Sequence, residues 1–259
     1  MNISDTTTVR DLAAGVPGAT RVFESFGIDY CCGGHRTLAA ACQEASLPVE
    51  DLTRSLEEAE RASQDSGAER DWRREPLASL SAYIIDKHHY FTKQEIERLE
   101  KLFDKVCSRH GDNHPELFEA QKTLYRLKQD LIPHMLKEEQ VLFPYIARME
   151  EAAGKGRAVP PPFFGTVQNP VRMMTLEHDV AGDLLRTLRD TTGNYMPPPD
   201  ACISYQTLYQ ALASFEADLH QHIHLENNLL FLRAIEMEEA ARGFQRSTRQ
   251  PDEHRCFGH

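Results

Sequence analysis

The sequence lacks any long apolar run, and it also lacks the excess of basic residues that is typical of nucleic-acid-binding proteins. No stretch approaches the roughly 20 apolar residues of a membrane span, so no membrane partner is expected. The formal net charge is −11 at pH 7 and no basic stripe offsets it, so no nucleic-acid partner is expected either. The segment MNISDTTTVRDL has neither the basic start nor the apolar stretch of a signal peptide, which predicts a cytoplasmic protein.

Cysteine is too sparse for a disulfide-stabilised secreted protein, whereas histidine is frequent and clustered. The chain has 6 cysteines in 259 residues, and secreted disulfide frameworks are typically shorter and denser in cysteine. The adjacent Cys31 and Cys32 are therefore expected to be free thiols. The 12 histidines occur in groups, and this grouping is the first indication of a metal site.

Composition divides the chain into three parts. Residues 1–65 predict a small helical module whose polar end, rich in charged residues, is typical of a linker. Residues 72–242 carry long helical patterns with little strand signal. Residues 243–259 are expected to form a disordered tail, although three of its side chains can bind metals: His254, Cys256 and His259.

Four long helices are predicted in residues 72–242, so the expected fold is all-α. Each helix carries one apolar stripe, and four such helices form a four-helix bundle. Proline and capping residues mark where these helices begin, namely near Pro76, Pro115 and Asn169 and after Asp200. Pro133 lies inside the second helix, which it should kink without ending, because the apolar spacing continues past it.

An internal repeat carries the metal prediction. The segments HMLKEEQVLF, beginning at His134, and HIHLENNLLF, beginning at His222, both read H-x-x-x-E-x-x-(V/L)-L-F. A single candidate histidine precedes each copy at nearly the same distance: His89 lies 45 residues before His134, and His178 lies 44 residues before His222. Two helical hairpins with matching spacing imply a bundle with pseudo-twofold symmetry.

Residues four apart on a helix lie on one face, so each repeat presents a His and a Glu together. His134 and Glu138 can therefore bind one metal, or the His can bind a metal and the Glu can share it with a neighbour. Burying such a set without a metal is costly, whereas two metals bridged by two carboxylates would satisfy all of it. Mixed N/O ligation suits iron or manganese, and zinc is an alternative. The predicted ligands are His89, His134, Glu138, His178, His222 and Glu226.

Several neighbours of these residues have open roles. Glu139, Glu177 and Asp179 could orient the free imidazole N–H groups, or they could be solvated helix-face charges. His220 and His224 flank His222 at two residues and are expected on the surface.

The Cys31-Cys32 pair is expected to precede a helix that includes HRTLAAACQEA. Thiols near a helix N-terminus have a lowered pKa, which favours metal binding and nucleophilic reaction. We therefore assign Cys31 and Cys32 to iron handling or redox exchange, with packing inside a small helical module as the alternative.

Taken together, the motifs resemble those of the RIC family (repair of iron centres, with YtfE-, ScdA-, DnrN- and NorA-like members), whose bundle is a hemerythrin-like HHE domain. The resemblance rests on Tyr30-Cys31-Cys32-Gly33-Gly34 with Thr37-Leu38, on HMLKEEQVLFP, on Glu177-His178-Asp179 and on HIHLENN. It implies two iron ions per chain with an oxo or hydroxo bridge, and it favours His89 over His88. His35 departs from the family pattern, in which Gly or Lys is frequent, and adds a metal-capable side chain beside the thiols.

The resemblance also implies a function in nitrosative and oxidative stress. The expected activity is repair of damaged iron–sulfur clusters, by iron donation or by removal of nitric oxide, with iron–sulfur proteins as clients. One alternative is a scavenger or sensor that binds NO or O₂ with the bundle alone. Another is a di-iron NO reductase that produces nitrous oxide. The sequence leaves open whether the chain forms a homodimer.

Overall fold

The computed structural model describes residues 3–66, 70–157, 159 and 162–248, and within these ranges all regular secondary structure is helical. The only strand-like feature of the described residues is an isolated bridge between Thr8 and Thr37. This confirms the predicted all-α class. None of the described helices combines the length and the apolar character needed to cross a membrane.

The N-terminal module contains four helices around its own apolar core. Two of them begin at a threonine cap, since the Thr8 and Thr37 hydroxyls accept backbone N–H groups of Asp11 and Ala40. The fourth helix continues to Ser66, through most of the stretch predicted as a linker. The bounds are Val9–Gly15 (α1), Ala19–Phe26 (α2), Leu38–Glu44 (α3) and Val49–Ser66 (α4).

The second part is a bundle of four long helices, three of which contain a π-helical turn. α5 spans 77–110 with a π turn at Ile84–His89, and α6 spans 116–154 with one at Glu138–Leu142. α7 is Gln168–Thr191, and α8 spans 203–248 with a π turn at Glu226–Leu230. The predicted helix starts are thus close to the observed ones.

The predicted course of α6 is confirmed, whereas the predicted end of α8 is not. α6 passes through Pro133 without ending there, as predicted. α8 continues to Thr248, beyond the predicted limit at residue 242. The remaining part of the predicted tail, with His254, Cys256 and His259, lies outside the described residues.

The bundle buries two apolar layers with a polar layer between them. The first layer includes Leu99, Phe103, Leu127, Leu185 and Phe215, and the second includes Leu80, Ile84, Phe143, Met174 and Phe231. α5 packs mainly on α8, and α6 packs mainly on α7. The polar layer between these cores is therefore shielded from water above and below.

The N-terminal module packs directly on the bundle. The Asn228 side chain donates to the backbone oxygen of Tyr30 at 3.0 Å, and the Tyr30 ring meets the His224 ring edge-on at 5.5 Å. His220 pairs with Glu24 of α2 at 2.7 Å. These contacts hold the loop of residues 29–34, called the cysteine loop below, against α8.

Candidate metal centre

The structure brings all six predicted side chains together in the polar layer between the two apolar cores. Each of the six is at most 2% exposed. They form two groups that share both carboxylates, and we call these groups position one and position two.

Position one combines His89 of α5 with His222 of α8. Their Nε2 atoms are 3.1 Å apart. Glu226 Oε1 lies 2.9 Å from His222 Nε2 and 3.5 Å from His89 Nε2. Glu138 Oε2 completes the group at 3.6 Å from His89 Nε2.

Position two combines His134 of α6 with His178 of α7. Their Nε2 atoms are 3.0 Å apart. Glu138 Oε2 lies 3.3 Å from His134 Nε2, and Glu226 Oε2 lies 3.1 Å from His178 Nε2. Glu226 thus turns one oxygen toward each position. Each position takes one histidine from each hairpin, and both positions share both glutamates. Of the two arrangements that the spacing allowed, the structure therefore has the one in which each Glu is shared between neighbouring positions.

The donor set fits two cations. Both oxygens of Glu138 and Oε2 of Glu226 are buried and make no hydrogen bond among the described residues. Unpartnered buried carboxylate oxygens are costly. In addition, the Nε2 atoms face each other in pairs, and an imidazole whose Nδ1 carries the proton has only a lone pair at Nε2. A cation in each position would satisfy both the nitrogens and the oxygens.

Three of the four imidazoles are oriented by a hydrogen bond at Nδ1. His89 donates to Glu139 at 2.8 Å, and His134 donates to Glu177 at 2.7 Å. Both carboxylates also accept from a lysine, Lys93 and Lys137 respectively. The orienting role suggested for Glu139 and Glu177 is confirmed. Since the proton stays on Nδ1, Nε2 presents its lone pair to the centre.

Asp179 does not take the third orienting role. It is exposed, and His178 instead donates from Nδ1 to Asn227 Oδ1 at 2.9 Å. Sequence reasoning missed Asn227, whose only signal was its position directly after Glu226.

His222 is held differently from the other three. Its Nδ1 finds no hydrogen-bond partner among the described residues. The His88 ring stacks on it at 5.9 Å between centroids and 15° between planes. His88 is itself fixed by donating from Nδ1 to Asp218 at 3.0 Å. The family resemblance favoured His89 over His88 as the ligand, and His88 lies behind His222, outside both positions.

The electrostatics of the six residues is uneven. Burial and the neighbouring Glu226 raise the pKa of Glu138. Burial alone would raise the pKa of Glu226, but contacts with three histidines hold it well below its usual range. Burial lowers the pKa of His222 to about 4. Burial also opposes the charge on His134, yet the surrounding glutamates raise the pKa of His134 to about 9.

The π-helical turns coincide with the centre. The turn of α5 ends at His89, and those of α6 and α8 begin at Glu138 and Glu226. Such turns occur frequently at functional sites. The repeat did not predict them, because an i, i+4 pattern fits a regular helix equally well.

The cysteine loop differs from the prediction. α3 begins only at Leu38, so the thiols do not lie at a helix N-terminus. A hydrogen bond to Cys32 and burial raise the pKa of Cys31 well above its usual value. The expectation of a lowered thiol pKa is therefore wrong for Cys31. Both cysteines are free, and their sulfur atoms are 3.8 Å apart.

The loop nevertheless lies beside position two. Cys32 Sγ is 3.9 Å from the backbone oxygen of His178. The Asn227 side chain that accepts from His178 also donates to the backbone oxygen of Cys31 at 3.5 Å. One side chain thus joins a candidate ligand to the thiol loop, a proximity that the sequence left undecided.

Three further histidines near these residues can now be assigned. His224 was expected on the surface but is buried, at 2% exposure, against Tyr30. His220 is half-buried and pairs with Glu24. Both predictions failed because the N-terminal module covers this face of α8. His35 is exposed and is not part of the thiol cluster.

Comparison with known proteins agrees with this geometry. The ScdA_N family, described as a domain of unknown function, matches residues 5–60, and the hemerythrin HHE cation-binding domain family matches residues 80–234. The iron-sulfur cluster repair protein YtfE of Citrobacter koseri is 37% identical over 225 residues, 87% of this chain and 94% of that protein. The protein of the same name from Musicola paradisiaca is 37% identical over 230 residues, 88% of this chain and 96% of its own.

A probable iron-sulfur cluster repair protein of Haemophilus influenzae is 32% identical over 225 residues, which is 87% of this chain and 95% of that protein. The hemerythrin domain match covers more than half of the chain, and the relatives align along nearly their whole length. The chain therefore belongs to the family of YtfE-like iron-sulfur cluster repair proteins.

Proposed function

We propose that this chain repairs damaged iron–sulfur clusters with two iron ions held by His89, His134, Glu138, His178, His222 and Glu226. The observation that carries the proposal is the pair of buried positions that share two carboxylates, since three of the four carboxylate oxygens make no hydrogen bond among the described residues. The names of the relatives supply the client class, iron–sulfur proteins. We place this activity in the cytoplasm.

The surrounding residues orient the candidate ligands for binding iron. Glu139, Glu177 and Asn227 hold three imidazoles in the tautomer that directs Nε2 inward. The apolar layers exclude bulk water, which strengthens every interaction between the buried carboxylates and a cation. When bound, two iron ions supply one-electron redox chemistry and coordination positions for a small ligand such as nitric oxide.

Cys31 and Cys32 are assigned to iron handling within the same activity. Their loop touches the backbone of His178 and shares Asn227 with it. This contact favours repair over a scavenger or sensor that uses the bundle alone, because a binding protein has no need of thiols beside its metal.

Metal analysis and a repair assay test the proposal together. Protein purified without added metal should contain about two irons per chain, with the Mössbauer signature of a coupled pair, and it should restore activity to a nitric-oxide-damaged iron–sulfur enzyme. His134→Ala should lose both iron and repair. His110→Gln is the matched control, since His110 lies at the far end of α5, and it should keep both.

The outcomes separate the functions. Full iron content without any repair by the wild-type chain, together with NO or O₂ binding that is unchanged in a Cys31→Ser, Cys32→Ser double variant, would replace repair with binding by the bundle. Sustained formation of nitrous oxide over many turnovers with an electron donor would identify an NO reductase. Zinc alone, or no stoichiometric metal, would contradict the proposal.

A further inference from the structure

A second group of metal-binding side chains lies outside the dinuclear centre, in the cysteine loop. Asp29, Cys31 and Cys32 each offer one donor atom, and the three atoms lie within 4.8 Å of one another. Cys31 Sγ is 3.4 Å from Asp29 Oδ1 and 3.8 Å from Cys32 Sγ. Two sulfurs and one oxygen suit a divalent cation that accepts both donor types, such as Fe²⁺, Co²⁺ or Zn²⁺.

The loop is shaped by Asp29 so that these donors converge. Asp29 Oδ1 accepts the backbone N–H groups of Cys32 and Gly33, both at 3.0 Å. These bonds keep the pKa of Asp29 below its usual value although burial opposes this. The carboxylate is therefore fixed and negative on the same side as the two thiols.

The group is open to solvent through a cleft of about 590 Å³ between the N-terminal module and α7. Cys31 is buried, while Cys32 is partly exposed and lines this cleft. The charged residues of the lining are four carboxylates and two guanidinium groups, namely Asp29, Glu44, Asp179, Asp183, Arg36 and Arg186. Arg36 pairs with Glu44 and also, at 3.7 Å, with Asp29, and Arg186 pairs with Asp183. The remaining negative charge favours entry of a cation.

The group also lies against one half of the dinuclear centre and not the other. Cys32 Sγ contacts the backbone oxygen of His178, and Asn227 bonds both to the His178 ring and to the Cys31 backbone. Both contacts involve position two, whereas the thiols make no hydrogen bond with His89 or His222 of position one among the described residues.

We propose that Asp29, Cys31 and Cys32 form a third cation site, distinct from the six-residue centre, that holds one divalent metal ion beside position two. Both thiols bind as thiolates and their two protons pass to solvent, so no electron is transferred. If the chain acts as proposed above, the ion is Fe²⁺ that moves to or from position two. The existence of the third site does not depend on that proposed function.

Cobalt(II) provides a direct test, since bonds between thiolate and Co²⁺ produce an intense near-ultraviolet charge-transfer band. The iron-loaded, oxidised chain is titrated with Co²⁺, so that the dinuclear centre is filled. The expected result is one Co²⁺ per chain together with the charge-transfer band. Cys31→Ser and Cys32→Ser should each abolish the band while iron content stays at two, which also shows that these variants fold.

Two further variants sharpen the assignment. Asp29→Asn keeps the size of the side chain but removes its charge, and it should weaken Co²⁺ binding about tenfold or more. Cys202→Ser is the matched control: it removes another partly exposed thiol, at the start of α8, and should leave the band unchanged.

The possible results distinguish this site from the dinuclear centre. Iron at two per chain with no charge-transfer band, or a band that persists in both cysteine variants, overturns the third site. A band with one Co²⁺ per chain in protein that fails to hold iron supports the third site and contradicts the proposed function alone.

Discussion

Position two holds both of its histidines by hydrogen bonds, whereas position one holds one by a hydrogen bond and the other by a stacked ring. His134 and His178 donate to Glu177 and Asn227. In position one His89 donates to Glu139, but Nδ1 of His222 has no hydrogen-bond partner among the described residues and the His88 ring stacks on the imidazole. Position two is also the one next to the thiols. A sequence repeat can therefore place equivalent ligands in unequal surroundings.

The difference has a chemical consequence. A hydrogen bond from Nδ1 to a carboxylate raises the basicity of Nε2 and fixes the ring, and losing such a partner typically weakens metal affinity by about 10–100-fold. Stacking fixes the ring plane without adding electron density. We therefore expect the two metals to differ in affinity and in exchange rate, and the following variants test that difference in order of expected effect.

Glu226→Gln should have the largest effect, because Glu226 turns one oxygen toward each position. The neutral amide cannot bridge two cations, so iron should fall from two to below one per chain. Iron analysis after purification measures this. Glu95→Gln is the control, since Glu95 is another buried carboxylate of the bundle, paired with Arg98 outside the centre. If Glu226→Gln retained two irons per chain, the sharing of Glu226 between the two positions would be disproved.

Asn227→Ala should weaken position two alone, by about tenfold, since it removes the partner of the His178 ring. Removal of the first iron by a chelator should become faster while the second is unaffected. Asn228→Ala is the matched control, because Asn228 bonds to the same loop but not to His178. Equal acceleration in both variants would show that loop docking, and not the hydrogen bond to His178, controls the iron.

His88→Ala should loosen position one by a smaller factor, because it removes the ring that stacks on His222. His88→Phe keeps an aromatic ring there while losing the bond to Asp218. Chelation kinetics and the Mössbauer parameters of the two irons should therefore change in the alanine variant and stay close to wild type in the phenylalanine variant. Identical behaviour of the two variants would refute stacking as the cause.

The smallest effect is a difference in the pH dependence of unfolding of the metal-free chain. The folded pKa of His134, about 9, exceeds its usual 6.5, so its stabilisation is complete below 6.5 and is lost as the pH rises to 9. The folded pKa of His222, about 4, lies below 6.5, so its contribution is present above 6.5 and is lost as the pH falls to 4. Each histidine changes the free energy of unfolding by at most about 1.4 kcal/mol per pH unit.

Denaturant unfolding from pH 4 to pH 9 measures both slopes. His134→Gln should reduce the pH dependence of the free energy of unfolding between pH 6.5 and 9. His222→Gln should reduce it between pH 4 and 6.5. If His134→Gln instead changed the acid range, or His222→Gln the alkaline range, the charge states assigned to these two histidines would be wrong.

Local rules accounted for much of the bundle. Helix starts near Pro76, Pro115 and Asn169 were predictable because capping and proline geometry act within a few residues. The same rules failed at α3, which begins at Leu38 and not at His35. There the loop follows Asp29, whose carboxylate accepts two backbone N–H groups, and such a bond pattern is not visible as a periodicity.

The sequence by itself predicted the four donors of the two repeats, His134, Glu138, His222 and Glu226, because H-x-x-x-E on a helix places both side chains on one face whatever the helix packs against. The choice of His89 over His88 came from the family resemblance. Only the tertiary structure decided how those donors pair, which partners they have and where the thiols lie. The contacts of Asn227 with Cys31 and of His88 with Asp218 join residues more than a hundred positions apart. Contacts of that kind depend on how whole helices pack, and no local pattern encodes them.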